Sequence, residues 1–185
     1  MKIDATGWVE GIAQLPSPNV DTRPDGIAID LLVIHAISLP PDEFGGDGVA
    51  QLFTNTLDCA AHPYYDTLRG LRVSAHFFIR RDGETLQFVS CLQRAWHAGI
   101  STWQGRSRCN DFSIGIELEG SDHQAFTSAQ YTALHRLTQT LRQHYPLRGI
   151  AGHQHIAPQR KTDPGVYFDW ARYLSILARD NTLTE

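Results

Sequence analysis

The segment Gly152-His-Gln-His-Ile-Ala-Pro-Gln-Arg-Lys-Thr-Asp-Pro-Gly165 gathers two imidazoles (His153 and His155), an ammonium at Lys161 and a carboxylate at Asp163. Neutral imidazole and carboxylate are the groups a catalytic zinc ion takes, usually three from protein with one position left for water. His153 and Asp163 cannot share a helix face across a proline, so the loop between them must fold back to bring them together. Pro158 and Pro164 stiffen that loop near both ends, which favours one geometry over many.

A third ligand must come from elsewhere, and His35 in Asp30-Leu-Leu-Val-Ile-His-Ala-Ile37 is the candidate. The apolar run before it reads as a strand buried on both faces, a rigid element on which a site residue is well held. A lone histidine there would ordinarily be a core residue; the 152–165 loop turns the reading towards metal. A general base is offered by Ser113-Ile-Gly-Ile-Glu-Leu-Glu-Gly120, where Ile114, Ile116 and Leu118 alternate with Gly115, Glu117 and Glu119. A carboxylate beside a metal-activated water can take its proton. Alternation sends Glu117 and Glu119 to the same face and does not choose between them.

These groups need a scaffold. Strands are expected near 30–35, 73–79, 85–89 and 113–118, with Arg81-Asp-Gly83 turning the middle pair into a hairpin. Thr127-Ser-Ala-Gln130 is a capping box opening a helix with Tyr131, Leu134, Leu137 and Leu141 on one face and a stop at Pro146. Asp169 caps a second helix whose stripe is Trp170, Tyr173, Leu174 and Leu177. The pattern predicts an α/β fold, a central mixed sheet flanked by helices, in a single domain over 1–185. Residues 1–26 are expected to wrap the surface, and 39–71 to form a long irregular insertion bordering the cleft.

Composition narrows the function. With 185 residues and 42% hydrophobic content, the chain can bury a substantial core. A net charge of −4 argues against nucleic acid as a partner. No apolar run is long enough to span a bilayer, and the first residues lack the apolar stretch of a secretory signal. Three cysteines, Cys59, Cys91 and Cys109, lack CxxC spacing and suggest reduced thiols and a cytoplasmic location.

Taken together the motifs resemble the zinc-dependent N-acetylmuramoyl-L-alanine amidases, in particular the cytoplasmic AmpD type that acts on 1,6-anhydro-muropeptides. The likeness runs through Gly7-Trp8, Leu15-Pro-Ser-Pro18, Ile37-Ser-Leu-Pro-Pro41, Glu43-Phe-Gly-Gly46 and Leu71-Arg-Val-Ser-Ala-His76. It continues in Arg94-Ala-Trp-His-Ala-Gly99, Arg108-Cys-Asn-Asp-Phe-Ser113, Arg160-Lys-Thr-Asp-Pro-Gly165 and Phe168-Asp-Trp-Ala171. The resemblance implies the fold shared with peptidoglycan-recognition proteins and zinc held by His35, His153 and Asp163. It further implies Glu117 as general acid/base and Lys161 as the cation facing the oxyanion.

The same resemblance implies that Arg72 and Arg108 grip stem-peptide carboxylates, and Trp96 offers a face on which the anhydro-sugar could stack. His76 and His97 read as hydrogen-bonding groups of the core or around the site. Two positions depart from the family pattern: Ala36 stands where Asn is common, and Gln154-His155 replaces the usual Cys-Asp/Asn. His155 is therefore not expected as a ligand. The implied reaction is hydrolysis of the lactyl–L-alanine amide in imported wall fragments, with no nucleic acid, membrane or obligate protein partner. A lytic amidase on intact wall is the alternative enzyme. A non-catalytic muropeptide-binding module is the alternative without chemistry, and it would be expected to have lost a ligand or the glutamate.

Overall fold

The computed structural model describes residues 1–181. In chain order its strands are β1 (Ala13–Gln14), β2 (Val20–Thr22), β3 (Leu31–Ile37), β4 (Phe77–Ile79), β5 (Thr85–Gln87) and β6 (Gln93–Ala95). They continue with β7 (Thr102–Trp103), β8 (Arg106–Ser107), β9 (Ser113–Glu119) and β10 (Gly149–Gly152). The helices are α1 (Gly48–Phe53), α2 (Pro63–Asp66), α3 (Ser128–His144), α4 (His153–Ile156) and α5 (Trp170–Asn181), with a 3-10 turn at Cys109–Asp111.

A central six-stranded sheet runs β1-β5-β4-β9-β3-β10. Strands β4, β9, β3 and β10 are mutually parallel, whereas β5 turns back antiparallel on β4. The expected mixed α/β architecture is therefore present. Parallel pairing demands crossovers, and the long connections supply them.

Alternation divides the sheet into two chemistries. On one face Leu32 and Ile34 of β3 and Ile114, Ile116 and Leu118 of β9 meet Leu134, Leu137 and Leu141 of α3 and Tyr173 and Leu177 of α5 in one core. On the other face Leu31 and Val33 pack with Ala98, Phe112 and Ile156, and that face also carries His35 and Glu117. The sheet is thus buried on both sides, which explains the unbroken apolar run before His35.

Helix α3 begins as expected, with the Thr127 hydroxyl accepting from the Gln130 N–H and the Gln130 side chain accepting from the Thr127 N–H. Asp169 likewise caps the start of α5 by accepting from Arg172 N–H.

Several expectations need correction. The region 73–79 is regular only over β4, because residues 73–76 hydrogen-bond to loops and single strand positions, such as Ser74 N–H to Trp96 O. The 39–71 segment is not wholly irregular: it holds α1, whose Val49, Leu52 and Phe53 pack under Phe78 and Phe88. Leu174 is 47% exposed and lies off the buried face of α5. Strand β10 had no strand signal of its own, being short and glycine-bounded.

Candidate functional site

Three parallel strands deliver the candidate residues towards their C-terminal ends, where open α/β sheets place their binding crevices. His35 lies opposite Glu117 in the β3–β9 register. Strand β10 pairs with β3 until Gly152 faces Ile34, so the next residue, His153, arrives beside His35. The chain then enters α4 and folds back, and Gln154 N–H donates to Asp163 O at 2.8 Å. That bond closes the loop and brings the Asp163 carboxylate to the two histidines.

The convergence is tight. His35 Nδ1 and His153 Nδ1 are 3.0 Å apart, and each is 3.1 Å from Asp163 Oδ2. A tetrahedral zinc site with bonds of 2.0–2.1 Å has ligand–ligand edges of about 3.3 Å, so the three atoms form one face of such a site. They are the group of three among the described residues that could hold a metal ion. The far nitrogen of His153 points at Ala98 O, 3.1 Å away. A carbonyl only accepts, so His153 carries its proton on Nε2 and turns a bare lone pair towards Asp163. Two acceptors this close require a proton or a cation between them, and the donor set fits zinc.

Glu117 stands beside this triangle with Oε1 3.9 Å from His35 Nδ1. Its other oxygen, Oε2, is buried without a hydrogen-bond partner. Burial raises its pKa well above the usual carboxylate value; the Asp163 charge adds to the rise and Lys161 opposes it. A raised, unpaired carboxylate in a cleft is an acid/base candidate. Burial pulls His35 down to about 4 despite its Asp163 neighbour, keeping the imidazole neutral. Burial, joined by the nearby imidazoles, also holds His97 well below its ordinary value.

Glu119, its alternation partner, is spent on structure. Its carboxylate accepts from Gly45 N–H and from Arg81 N–H at 2.9 Å, fastening the 39–47 segment to the β4–β5 hairpin. The choice that alternation left open is thus made by contacts: only Glu117 faces the triangle.

A cleft of about 280 Å³ lies over these groups, lined by Glu117, His153, Lys161, Asp163 and Trp96 together with Ala36, Leu39, Leu52, Phe53, Tyr64 and Leu68. The Trp96 indole N–H is buried and unpartnered. Arg72 and Arg108 are exposed and lie outside this lining; Arg108 pairs with Asp111 at 3.2 Å. The structure therefore brings together His35, His153, Asp163, Glu117, Lys161 and Trp96; Arg72 stands between Leu71 and Val73 of the cleft wall, and Arg108 stands outside the lining.

His155 does not follow the orientation an extended segment would have given it. The chain is helical there, so the ring turns away from His153; Nδ1 accepts from Gly152 N–H at 2.9 Å and the ring packs on Trp170. Sequence reasoning missed Asn110 and Gly115, both of which seat His97 against the sheet. A glycine at the centre of a buried strand marks a close approach by another group, and Gly115 carried that signal.

A fold with this sheet order and this His-His-Asp triangle beside a buried glutamate defines a class. Residues 25–166 match the N-acetylmuramoyl-L-alanine amidase family, and the chain belongs to it. Within that family it is 54% identical over 178 residues to the 1,6-anhydro-N-acetylmuramyl-L-alanine amidase AmpD of Escherichia coli (strain K12), covering 95% of this chain and 97% of the relative. A crystal structure of a selenomethionine AmpD derivative superposes with a TM-score of 0.92 at 54% identity, over 95% of this chain and 99% of that one. The amidase AmiD from E. coli, solved with the substrate anhydro-N-acetylmuramic acid-L-Ala-D-gamma-Glu-L-Lys, is more distant. It has a TM-score of 0.59 and 29% identity, over 94% of this chain and 65% of AmiD.

Proposed function

We propose that this chain is a zinc-dependent amidase that hydrolyses the bond between the lactyl group of 1,6-anhydro-N-acetylmuramic acid and L-alanine. The observation that carries the reading is the triangle His35 Nδ1, His153 Nδ1 and Asp163 Oδ2, drawn to about 3 Å beside a buried carboxylate and open to a cleft. The substrate class rests on the AmpD and AmiD relatives.

His35, His153 and Asp163 would hold the metal, and Asp163 as an anion would lower the net charge of the centre. Zinc, when bound, supplies Lewis acidity and brings the pKa of water down to roughly 7. Glu117 accepts the proton of the attacking water, a task its burial-raised proton affinity suits. Lys161 lines the same cleft and sets positive charge where the carbonyl oxygen becomes an oxyanion. Glu117 then returns the proton to the alanine nitrogen, so that it leaves as a neutral amine. Trp96 offers an aromatic wall and an unpaired indole N–H for the sugar. Arg72 and Arg108 would grip carboxylates of the stem peptide.

The whole chain is proposed to act as one amidase domain, with 39–71 as the border of the cleft. No helix among the described residues is long and apolar enough to cross a membrane. Cys59, Cys91 and Cys109 are unpaired, which supports a reducing, cytoplasmic setting and a recycling role on released fragments. The test is to incubate metal-free and zinc-restored protein with anhydro-muropeptide and with intact sacculi, following L-alanyl peptide release. Zinc-dependent cleavage of the anhydro fragment is expected. Cleavage that survives metal removal would refute the mechanism, and digestion of sacculi alone would refute the substrate.

A further inference from the structure

His97 belongs to no ligand set, yet its ring occupies the space directly behind His35. His35 Nε2 lies 2.9 Å from His97 Nδ1, and His97 Nε2 lies 3.2 Å from Ser113 Oγ. The Ser113 hydroxyl in turn donates to Cys109 O at 2.6 Å. These contacts fix where every proton sits. A carbonyl cannot donate, so the Ser113 hydrogen points at Cys109 and its oxygen can only accept from the ring. His97 therefore carries its proton on Nε2 and leaves Nδ1 bare. That bare nitrogen accepts from His35 Nε2–H, which leaves the lone pair of His35 Nδ1 facing His153 and Asp163.

His153 is set the same way by the neighbouring residue. Its Nε2–H donates to Ala98 O, and the Arg160 guanidinium donates to that same carbonyl at 2.9 Å. The His97 and Ala98 N–H groups both donate to Asn110 Oδ1, at 3.2 and 2.8 Å. One dipeptide thus sets both histidines, with the His97 ring behind His35 and the Ala98 carbonyl behind His153. Gly115 makes room for it, since a side-chain carbon there would collide with the His97 ring.

We propose that His97 is a positioning residue for the metal centre. Through Ser113 and Cys109 O it locks His35 in the Nε2–H tautomer and so presents Nδ1 as a metal-ready lone pair. The proposal rests on the reading that His35, His153 and Asp163 hold zinc. In these tautomers both Nδ1 lone pairs face Asp163, and a cation satisfies all three inward-facing acceptors. Outer partners of this kind typically hold about a tenfold to a hundredfold in metal affinity.

The experiment measures zinc affinity by competition with a chelator of known strength, alongside thermal unfolding of the metal-free proteins. His97→Leu removes the acceptor and should weaken zinc about tenfold to a hundredfold, a loss read separately from any change in metal-free unfolding. His97→Asn places a carboxamide oxygen near the Nδ1 position and should recover most of the loss. An unchanged affinity in His97→Leu would overturn the proposal, as would an Asn variant as weak as the Leu variant. If His97→Leu fails to fold, Ser113→Ala takes its place: it keeps the ring but removes its anchor, and should also weaken zinc. Unchanged affinity there would again overturn the proposal. A parent protein that binds no zinc would instead sink the metal reading of the preceding section.

Discussion

His35 and Glu117 face each other across adjacent parallel strands, in register, with Nδ1 and Oε1 3.9 Å apart. One sheet position thus supplies a candidate ligand, and its neighbour supplies the proposed base. Because both side chains spring from central strands packed on α3 and α5, their separation is set by the sheet and not by a loop.

Glu117→Gln removes the base without touching the triangle. Zinc content should stay at one per chain while kcat on anhydro-muropeptide falls about a hundredfold to ten-thousandfold. A variant that turns over near the parent rate would refute the assigned role.

The same substitution has a stability signature in metal-free protein. Burial raises the Glu117 pKa in the folded state, so its favourable contribution is complete below the ordinary value of 4.5 and is lost as pH rises through the folded value. Glu117→Gln should therefore unfold at a higher temperature than the parent at neutral and mildly alkaline pH, with the advantage vanishing in acid below pH 4.5. Thermal scans across that range check it, and a constant offset at every pH would count against it.

Glu119 should behave in the opposite manner. Glu119→Ala strips the acceptor from Gly45 and Arg81 N–H and should cost about 1–3 kcal/mol of stability, read from denaturant midpoints. Zinc affinity should not change. A loss of turnover without a loss of stability would mean that the two glutamates have been assigned the wrong way round.

Lys161→Met should lower kcat about a hundredfold to a thousandfold, the size expected for one oxyanion partner, with KM little altered. If KM alone rose, the ammonium would be gripping the ground-state substrate instead.

Much of this site was legible before any coordinates. The alternation of Ile114, Ile116 and Leu118 placed Glu117 on the face opposite the helices, and the apolar run before His35 announced a strand buried twice over. What escaped depended on contacts between distant segments. Alternation could not separate Glu117 from Glu119, because the distinction lies in Gly45 and Arg81, brought there by the 39–47 segment and the hairpin. The orientation of His155 depended on whether 153–156 was extended or helical, and the short glycine-bounded β10 gave no periodicity to decide it. Leu174 fitted a helical stripe by spacing, yet the buried face of α5 passes through Tyr173 and Leu177. Arg72 and Arg108 were tied to substrate by motif alone; both are exposed, and Arg72 lies between Leu71 and Val73 of the cleft wall.

The most direct test is anomalous X-ray scattering at the zinc edge from crystals grown with one equivalent of zinc. A single peak is expected about 2.0–2.2 Å from His35 Nδ1, His153 Nδ1 and Asp163 Oδ2 together. No peak at that triangle, or an ion held elsewhere while the triangle stays bare, would contradict the account.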